Sequence, residues 1–446
     1  MSGRRPGSIP VPRNPLRHQL PTWTPLGAGA LLRSAFGLGA RDPLRELREL
    51  LAADLGANAV VLTGSGTQAL ALALAVAGKG RRASGRSEGE AGAGAGVRRG
   101  DAKEARAPGA APIALPAWSC YDLASAAVHH GAPVHFYDLD PRTLAPDRTS
   151  LESALEGGAK TVVVAPHFGV PTRMVQVEEV VHHFGARLVV DAAQGWGARF
   201  EGRPLAGAGE LTVLSFGRGK GWTAGGGGGA LVLRGREEPP PLAGVGPSPW
   251  AGALALLALG RPGIYRIPRS VPALGLGVTR YHPPSPPAPM RPATARLLLA
   301  TREAAFVEAR GRAARGAMMH DALRRSGGAA ALVHPPEGSE AGWLRFPVLV
   351  PGGIEGLEAR ARRGRGTGPG PVRLGAAQGY PEILPELPAL SGLVAPGVPQ
   401  GPDAFPGARR LARDLVTLPT HSRVRSAERE ALLALVAEVV GVGDDT

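Results

Sequence analysis

The chain has 446 residues, a formal net charge of +14, 65 glycines, 44 prolines and one cysteine. A single cysteine excludes an intrachain disulfide and points to a reducing compartment, the cytoplasm. The longest apolar stretch, Trp250 to Leu259, is far short of the roughly 20 residues of a membrane span and reads as a buried helix, with peripheral membrane attachment as the alternative. The positive excess is scattered arginine with no aromatic interleaving, so no nucleic-acid partner is expected.

The length suits one large and one smaller domain. Met1-Ser2-Gly3-Arg4-Arg5-Pro6 is basic and leads into no apolar signal core. Residues 1–45, rich in Pro and Arg, are expected to form an arm over the core. Leucines at helical spacing predict a helix from Pro43 to Leu55. Strands and helices then alternate: a strand at Ala59 to Leu62, a helix at Thr67 to Ala77, a strand at Ile113 to Leu115 and a helix at Leu123 to His130. Further strands are expected at Pro133 to Tyr137 and Thr161 to Val164, with helices at Ser150 to Leu155 and Val175 to Phe184. Arg187 to Val190, Leu211 to Leu214 and Ala230 to Leu233 read as strands. Continuous β-branched runs separated by helices predict an α/β protein with a mostly parallel sheet covered on both faces.

Residues 79–111 break the rhythm. Gly, Ala, Arg, Glu and Ser dominate there, with almost no large apolar side chain, which predicts a disordered surface insertion. After a Pro-rich tract, Arg291 to Leu323 reads as one long helix and Leu344 to Val350 as a strand. Gly352 to Ala404 reads as irregular, and Ala408 to Leu415 and Ser426 to Val440 as helices. The expected organisation is an arm (1–45), a large domain (46–290) and a connecting helix with a small α+β domain (291–446).

Three motifs carry chemistry. Thr63-Gly64-Ser65-Gly66-Thr67-Gln68 joins a strand to a helix, where exposed N–H groups, the helix dipole and the Thr67 hydroxyl favour a phosphate; the plainer alternative is a capped turn. Asp191-Ala192-Ala193-Gln194 follows a strand, where α/β proteins bind ligands. The alternative for Asp191 is a helix N-cap. Ser215-Phe216-Gly217-Arg218-Gly219-Lys220 follows another strand and contains one of only four lysines, the others being Lys79, Lys103 and Lys160. An amine and a carboxylate at neighbouring strand ends meet the needs of pyridoxal 5'-phosphate (PLP). Lys220 would form the imine and Asp191 would hold the pyridine nitrogen protonated, with Gln194 on the ring's 3-oxygen and Ser215 on the phosphate. An exposed turn lysine is the alternative for Lys220.

An aromatic from Trp118-Ser119-Cys120-Tyr121, Tyr121 or Trp118, could stack on the ring, and Cys120 reads as a buried small residue. His167 could line the site or be a hydrogen-bonded core histidine. Arg345 could bind a substrate carboxylate or lie on the surface. No Cys/His cluster has zinc spacing, so no metal is expected.

Together these residues resemble the DegT/StrS family of PLP-dependent aminotransferases. The likeness rests on Gly66-Thr67-Gln68-Ala69-Leu70, Leu115-Pro116-Ala117-Trp118-Ser119-Cys120 and Pro133 to Asp140. His167-Phe168-Gly169, Asp191 to Gln194, Ser215 to Lys220 and Leu418-Pro419-Thr420-His421 complete it. The resemblance implies fold type I of PLP enzymes and a homodimer with a shared active site. It also implies transfer of an amino group from an amino acid, glutamate by family default, to a keto acceptor such as a nucleotide-linked keto sugar, through a Lys220 aldimine. The family's Asn-Tyr-Arg segment, which reaches the partner's cofactor phosphate and the sugar nucleotide, is replaced here by Tyr281-His282-Pro283-Pro284-Ser285-Pro286. Two other functions remain compatible: a lyase, decarboxylase or amino-acid enzyme on the same fold, and a non-catalytic PLP-binding module.

Overall fold

The computed structural model describes residues 17–79, 110–265, 280–363 and 369–441. The expected insertion lies largely outside them, at 80–109, as do the first 16 residues of the expected arm. The described part of the arm contains a helix, α1 (Ala28–Ala35), which the proline-rich composition did not suggest. Helix α2 (Pro43–Leu55) starts on an Asp42 cap that accepts the Arg45 N–H at 3.1 Å. It has Pro43 in its first turn and stops at Gly56, whose φ of +62° suits glycine.

The alternating elements follow: β1 (Ala59–Thr63), α3 (Gly66–Lys79), β2 (Ile113–Pro116), α4 (Asp122–His130), β3 (Val134–Tyr137), α5 (Arg148–Glu156), β4 (Thr161–Val164), α6 (Met174–His183) and β5 (Arg187–Asp191). After a small hairpin, β6 (Arg199–Phe200) and β7 (Arg203–Pro204), come β8 (Leu211–Ser215) and β9 (Gly229–Leu233). Seven strands form one sheet in the order β1-β9-β8-β5-β4-β2-β3. β3, β2, β4, β5 and β8 pair in parallel, and β9 runs antiparallel to both β8 and β1. Six strands therefore point the same way, and their carboxyl ends share one edge. The Val-rich strands β4 and β5 are buried because helices cover both faces. Apolar α3 packs on β8, β9 and β5 and against α4, which directs its N-terminus to that same edge.

Helix α7 (Trp250–Leu259) forms where the apolar run predicted it, but it is not a core helix. Only Ala253 is buried and Leu254 is 56% exposed. The long helix α8 (Pro292–Arg325) spans about 51 Å at 1.5 Å per residue and buries Leu298, Thr301, Ala305, Arg312, Gly316, Met319 and Leu323 along one stripe. Gly316 is required there, since a Cβ would lie 2.2 Å from the Trp343 ring.

The C-terminal part holds β10 (Ser339–Glu340), which joins the β6–β7 hairpin, and an antiparallel sheet in the order β11 (Phe346–Leu349), β13 (Leu415–Leu418), β12 (Ala377–Gln378). Helix α9 (Gly353–Arg363) corrects the expectation of irregular structure from Gly352 onward: its glycines lower helix propensity, but Leu357 buries fully and anchors it. The next helix, α10 (Pro406–Asp414), ends before Leu415, which opens the central strand β13. α11 (Ser426–Gly441) closes the described chain.

Candidate active site

The shared strand edge collects the motifs. A narrow cleft of about 20 Å³ is lined by Gly66 and Thr67 after β1, Cys120 after β2, His167 after β4, Asp191 at the end of β5 with Gln194 beyond it, and Ser215 at the end of β8 with Lys220 beyond it. A second cavity of about 310 Å³ shares Cys120, Asp122, Gln194 and Lys220 with it and adds Arg218, Arg345 and Tyr380.

Asp191 ends β5 and accepts one hydrogen bond, from the Ala193 N–H at 3.1 Å. It makes no ion pair within 4 Å among the described residues. Burial raises its pKa, and the Lys220 charge and the Ala193 bond oppose that shift. Opposite, α3 begins at Gly66, where a Cβ would lie 2.6 Å from Ser215 Oγ. The first-turn N–H groups of Gly66 and Thr67 have no acceptor within the helix, and with the hydroxyls of Thr67 and Ser215 they are the donors an anion cradle would need. Gln68 is not part of it, contrary to expectation. Its amide donates to Ser285 Oγ (3.1 Å) and the Pro286 carbonyl (2.8 Å) and accepts from the Ala288 N–H (3.4 Å), clamping residues 285–288 beneath the turn.

Gln194 reaches the cleft and is already engaged. Its Oε1 accepts the Phe168 N–H at 2.8 Å and its Nε2 donates to the Tyr380 hydroxyl at 2.7 Å, which leaves one amide hydrogen for a ligand. Phe168 has a φ of +57°, a costly conformation for a bulky residue, and the turn it makes sets His167 in the cleft wall. His167 is 2% exposed, its Nε2 has no hydrogen-bond partner, and burial lowers its pKa to about 3, so the ring is neutral.

The stacking expectation needs correction. Tyr121 does not line the cleft. It packs 6.3 Å from Tyr380, and burial pushes its pKa up to about 12. Trp118 is fully buried and donates to the Tyr380 carbonyl at 2.8 Å. Ser119 and the half-buried Cys120 are the residues of this segment at the wall, and Cys120 carries the thiol. Burial raises its thiol pKa to about 12, so it is no thiolate nucleophile. Arg345 lines the larger cavity and has no carboxylate within 4 Å among the described residues; burial lowers its pKa. Tyr380 and Asp122 were not singled out in the sequence. Tyr380 lies in a stretch without periodicity, and the nearby β12 is two residues long.

This donor set fits PLP: a carboxylate without a cation, an anion cradle at a helix N-terminus and one lysine share a cleft. Residues 111–238 match the DegT/DnrJ/EryC1/StrS aminotransferase family. The resemblance read from the motifs is borne out over that segment, which holds Cys120, His167, Asp191, Gln194, Ser215 and Lys220. L-glutamine:2-deoxy-scyllo-inosose aminotransferase of Streptomyces kanamyceticus is 33% identical over 113 residues, 25% of this chain and 26% of the relative. A UDP-N-acetyl-3-dehydro-alpha-D-glucosamine 3-aminotransferase of Acidithiobacillus ferrooxidans is 26% identical over 114 residues, 26% of this chain and 31% of the relative. The chain thus spans between a quarter and a third of the length of these curated relatives.

Solved structures match much more of the chain. A DegT DnrJ EryC1 StrS aminotransferase from Brucella abortus superposes with a TM-score of 0.64 at 19% identity, covering 93% of this chain and 95% of that one. The aminotransferase TlmJ from Streptoalloteichus hindustanus gives 0.65 at 21%, covering 96% and 100%. The PLP form of Spr1654 from Streptococcus pneumoniae gives 0.64 at 17%, covering 95% and 99%. The fold is that of the fold type I aminotransferases.

Proposed function

We propose that the protein is a PLP-dependent aminotransferase that moves an amino group from an amino acid, glutamate in the first instance, to a keto acceptor of the keto-sugar class. The observation that carries this reading is the convergence of Asp191, Lys220 and the Gly66–Thr67–Ser215 cradle on one cleft from three strand ends. Two curated relatives are named as aminotransferases of 2-deoxy-scyllo-inosose and of UDP-N-acetyl-3-dehydro-alpha-D-glucosamine, which supports the acceptor class.

In this reading Gly66, Thr67 and Ser215 would hold the phosphate, Asp191 the ring nitrogen and Gln194 the 3-oxygen, and Lys220 Nζ would condense with the aldehyde carbon with loss of water. Bound PLP supplies a carbonyl for amine exchange and an electron sink for the substrate's α-carbon. Asp191 keeps the ring nitrogen protonated, and the low-dielectric wall strengthens that pairing. Lys220 Nζ would act as the base for the proton on the donor's α-carbon and, in the second half-reaction, as the acid that protonates the acceptor carbon. Arg345 would pair with the donor's α-carboxylate through its guanidinium fork. Net, the donor becomes a 2-oxo acid and the acceptor carbonyl becomes a primary amine.

A homodimer is part of the proposal. Leu32 of α1 (58% exposed), Phe36 just beyond its end (75%) and Leu254 of α7 (56%) leave apolar surface, and both helices border one cavity. The test is release of 2-oxoglutarate from glutamate in step with amination of a keto-sugar panel. Carbon dioxide release without amine transfer would favour a decarboxylase; no turnover of any amino acid would favour a binding module.

A further inference from the structure

The loop that carries Lys220 has little rigidity of its own. Gly217, Gly219 and Gly221 alternate through it, and Gly219 has a φ of +75°. Its base is fixed by Thr223, whose hydroxyl donates to the carbonyls of Phe216 (3.0 Å) and Gly217 (2.9 Å), and by Trp222, whose indole donates to the Leu298 carbonyl at 3.1 Å. Behind the loop lies a cavity of about 430 Å³ walled by Leu20, Thr22, Thr24, Gly219 and Thr223. Across that gap the Lys220 main chain has one hydrogen-bond partner among the described residues. The Thr24 hydroxyl donates to the Lys220 carbonyl at 2.6 Å.

Thr24 is itself held. It is 8% exposed, and Arg312 of α8 donates to its Oγ1 at 3.0 Å and to the Trp23 carbonyl at 2.8 Å. Arg312 is 1% exposed and lies beside Glu308, which also takes Arg315 at 2.7 Å and the Ser422 hydroxyl at 2.7 Å. The strand of arm around Thr24 is tied at several further points. His421 Nε2 bonds the Leu20 carbonyl, the Arg423 guanidinium lies 4.1 Å over the Trp23 ring, and Gln19 bonds Glu428. A buried ionic network in the C-terminal part thus ends on the peptide of the lysine.

We infer that Thr24 is a positioning residue: with Arg312 behind it, it fixes the Lys220 peptide so that Nζ is aimed into the cleft. The inference rests on the reading of Lys220 as the reactive amine. A hydroxyl that both accepts from a buried guanidinium and donates to a carbonyl is polarised, which shortens and stiffens the second bond. Without it, the glycine-flanked peptide can rotate and the side chain samples directions away from Asp191.

The test is made on the full chain stripped of PLP. The four lysines allow site-resolved labelling with trinitrobenzenesulfonate, with Lys79, Lys103 and Lys160 as internal references. Thr24→Val should change the labelling rate of Lys220 at least threefold, with the other lysines unmoved. It should lower kcat about tenfold at a nearly constant KM, and Thr24→Ser should restore both. Should valine impair folding, Thr24→Ala reads the same quantities. A Thr24→Val protein that loses melting temperature, yet labels at Lys220 with the wild-type rate and keeps kcat within twofold, overturns the inference. Failure of the wild type to take up PLP would instead sink the aminotransferase reading, and the labelling comparison on stripped protein would still decide the role of Thr24.

Discussion

Gln194 Nε2 donates to the Tyr380 hydroxyl at 2.7 Å, joining the end of β5 to the loop that follows β12. The bond spans the boundary between the seven-stranded sheet and the C-terminal part, beside the cavity that holds Lys220 and Arg345. Burial holds the Tyr380 pKa well above its ordinary value, so this phenol stays neutral. Gln194→Ala leaves a buried hydroxyl and the Phe168 N–H without a partner, and should cost about 2–3 kcal/mol of stability. Urea unfolding of variant and wild type measures it; a loss below 0.5 kcal/mol (roughly the scatter of neutral surface changes) would mean the bond is dispensable.

The anion cradle is tested by Ser215→Ala and Gly66→Ala. Removing one donor to a phosphate should weaken PLP binding roughly 10- to 100-fold, the range of a charge-assisted hydrogen bond. Gly66→Ala should do at least as much, because its Cβ would meet Ser215 Oγ at 2.6 Å. Equilibrium dialysis with PLP reads both. Gln68→Ala should weaken PLP far less and lower the melting temperature instead, since its amide bonds residues 285–288.

Arg345→Gln should raise the KM for the amino donor about 10- to 100-fold and leave the KM for the keto acceptor within a few-fold. Equal effects on both substrates would show that Arg345 shapes the cavity without binding the donor's carboxylate.

Acid should destabilise the protein through two buried histidines. Burial lowers the pKa values of His167 and His421 from 6.5 to about 3. The unfolded chain then binds more protons between these values, so the stabilisation is complete above pH 6.5 and falls away as the pH drops toward 3. The slope is about 1.4 kcal/mol per pH unit for each histidine well inside that window. His421→Gln keeps a donor for the Leu20 carbonyl and removes one titration, so its stability should fall less steeply from pH 6 to pH 5 in urea melts. An unchanged slope would count against a buried neutral His421.

The sequence was most legible where local pattern and tertiary role coincide. The Val- and Leu-rich runs became strands because a sheet covered on both faces selects such runs, and Asp191 and Ser215 fall at the ends of two of them, with Lys220 in the loop beyond. Tyr121 misled because aromatic character says nothing about which way a loop side chain turns; Cys120 faces the cleft instead. Gln68 has the chemistry of a ligand but serves the loop at 285–288. Tyr380 and Thr24 were silent because their roles come from contacts across 186 and 196 residues of chain, for which no local spacing carries a signal. The exposed helix α7 shows the same limit, since apolar composition does not state what covers it.

The most direct measurement is borohydride reduction of the protein after incubation with PLP, followed by peptide mass spectrometry. The account predicts a phosphopyridoxyl label on the Lys220 peptide alone, lost in Lys220→Ala and weakened in Asp191→Asn. A label spread over Lys79, Lys103 and Lys160, or none at Lys220, would contradict it.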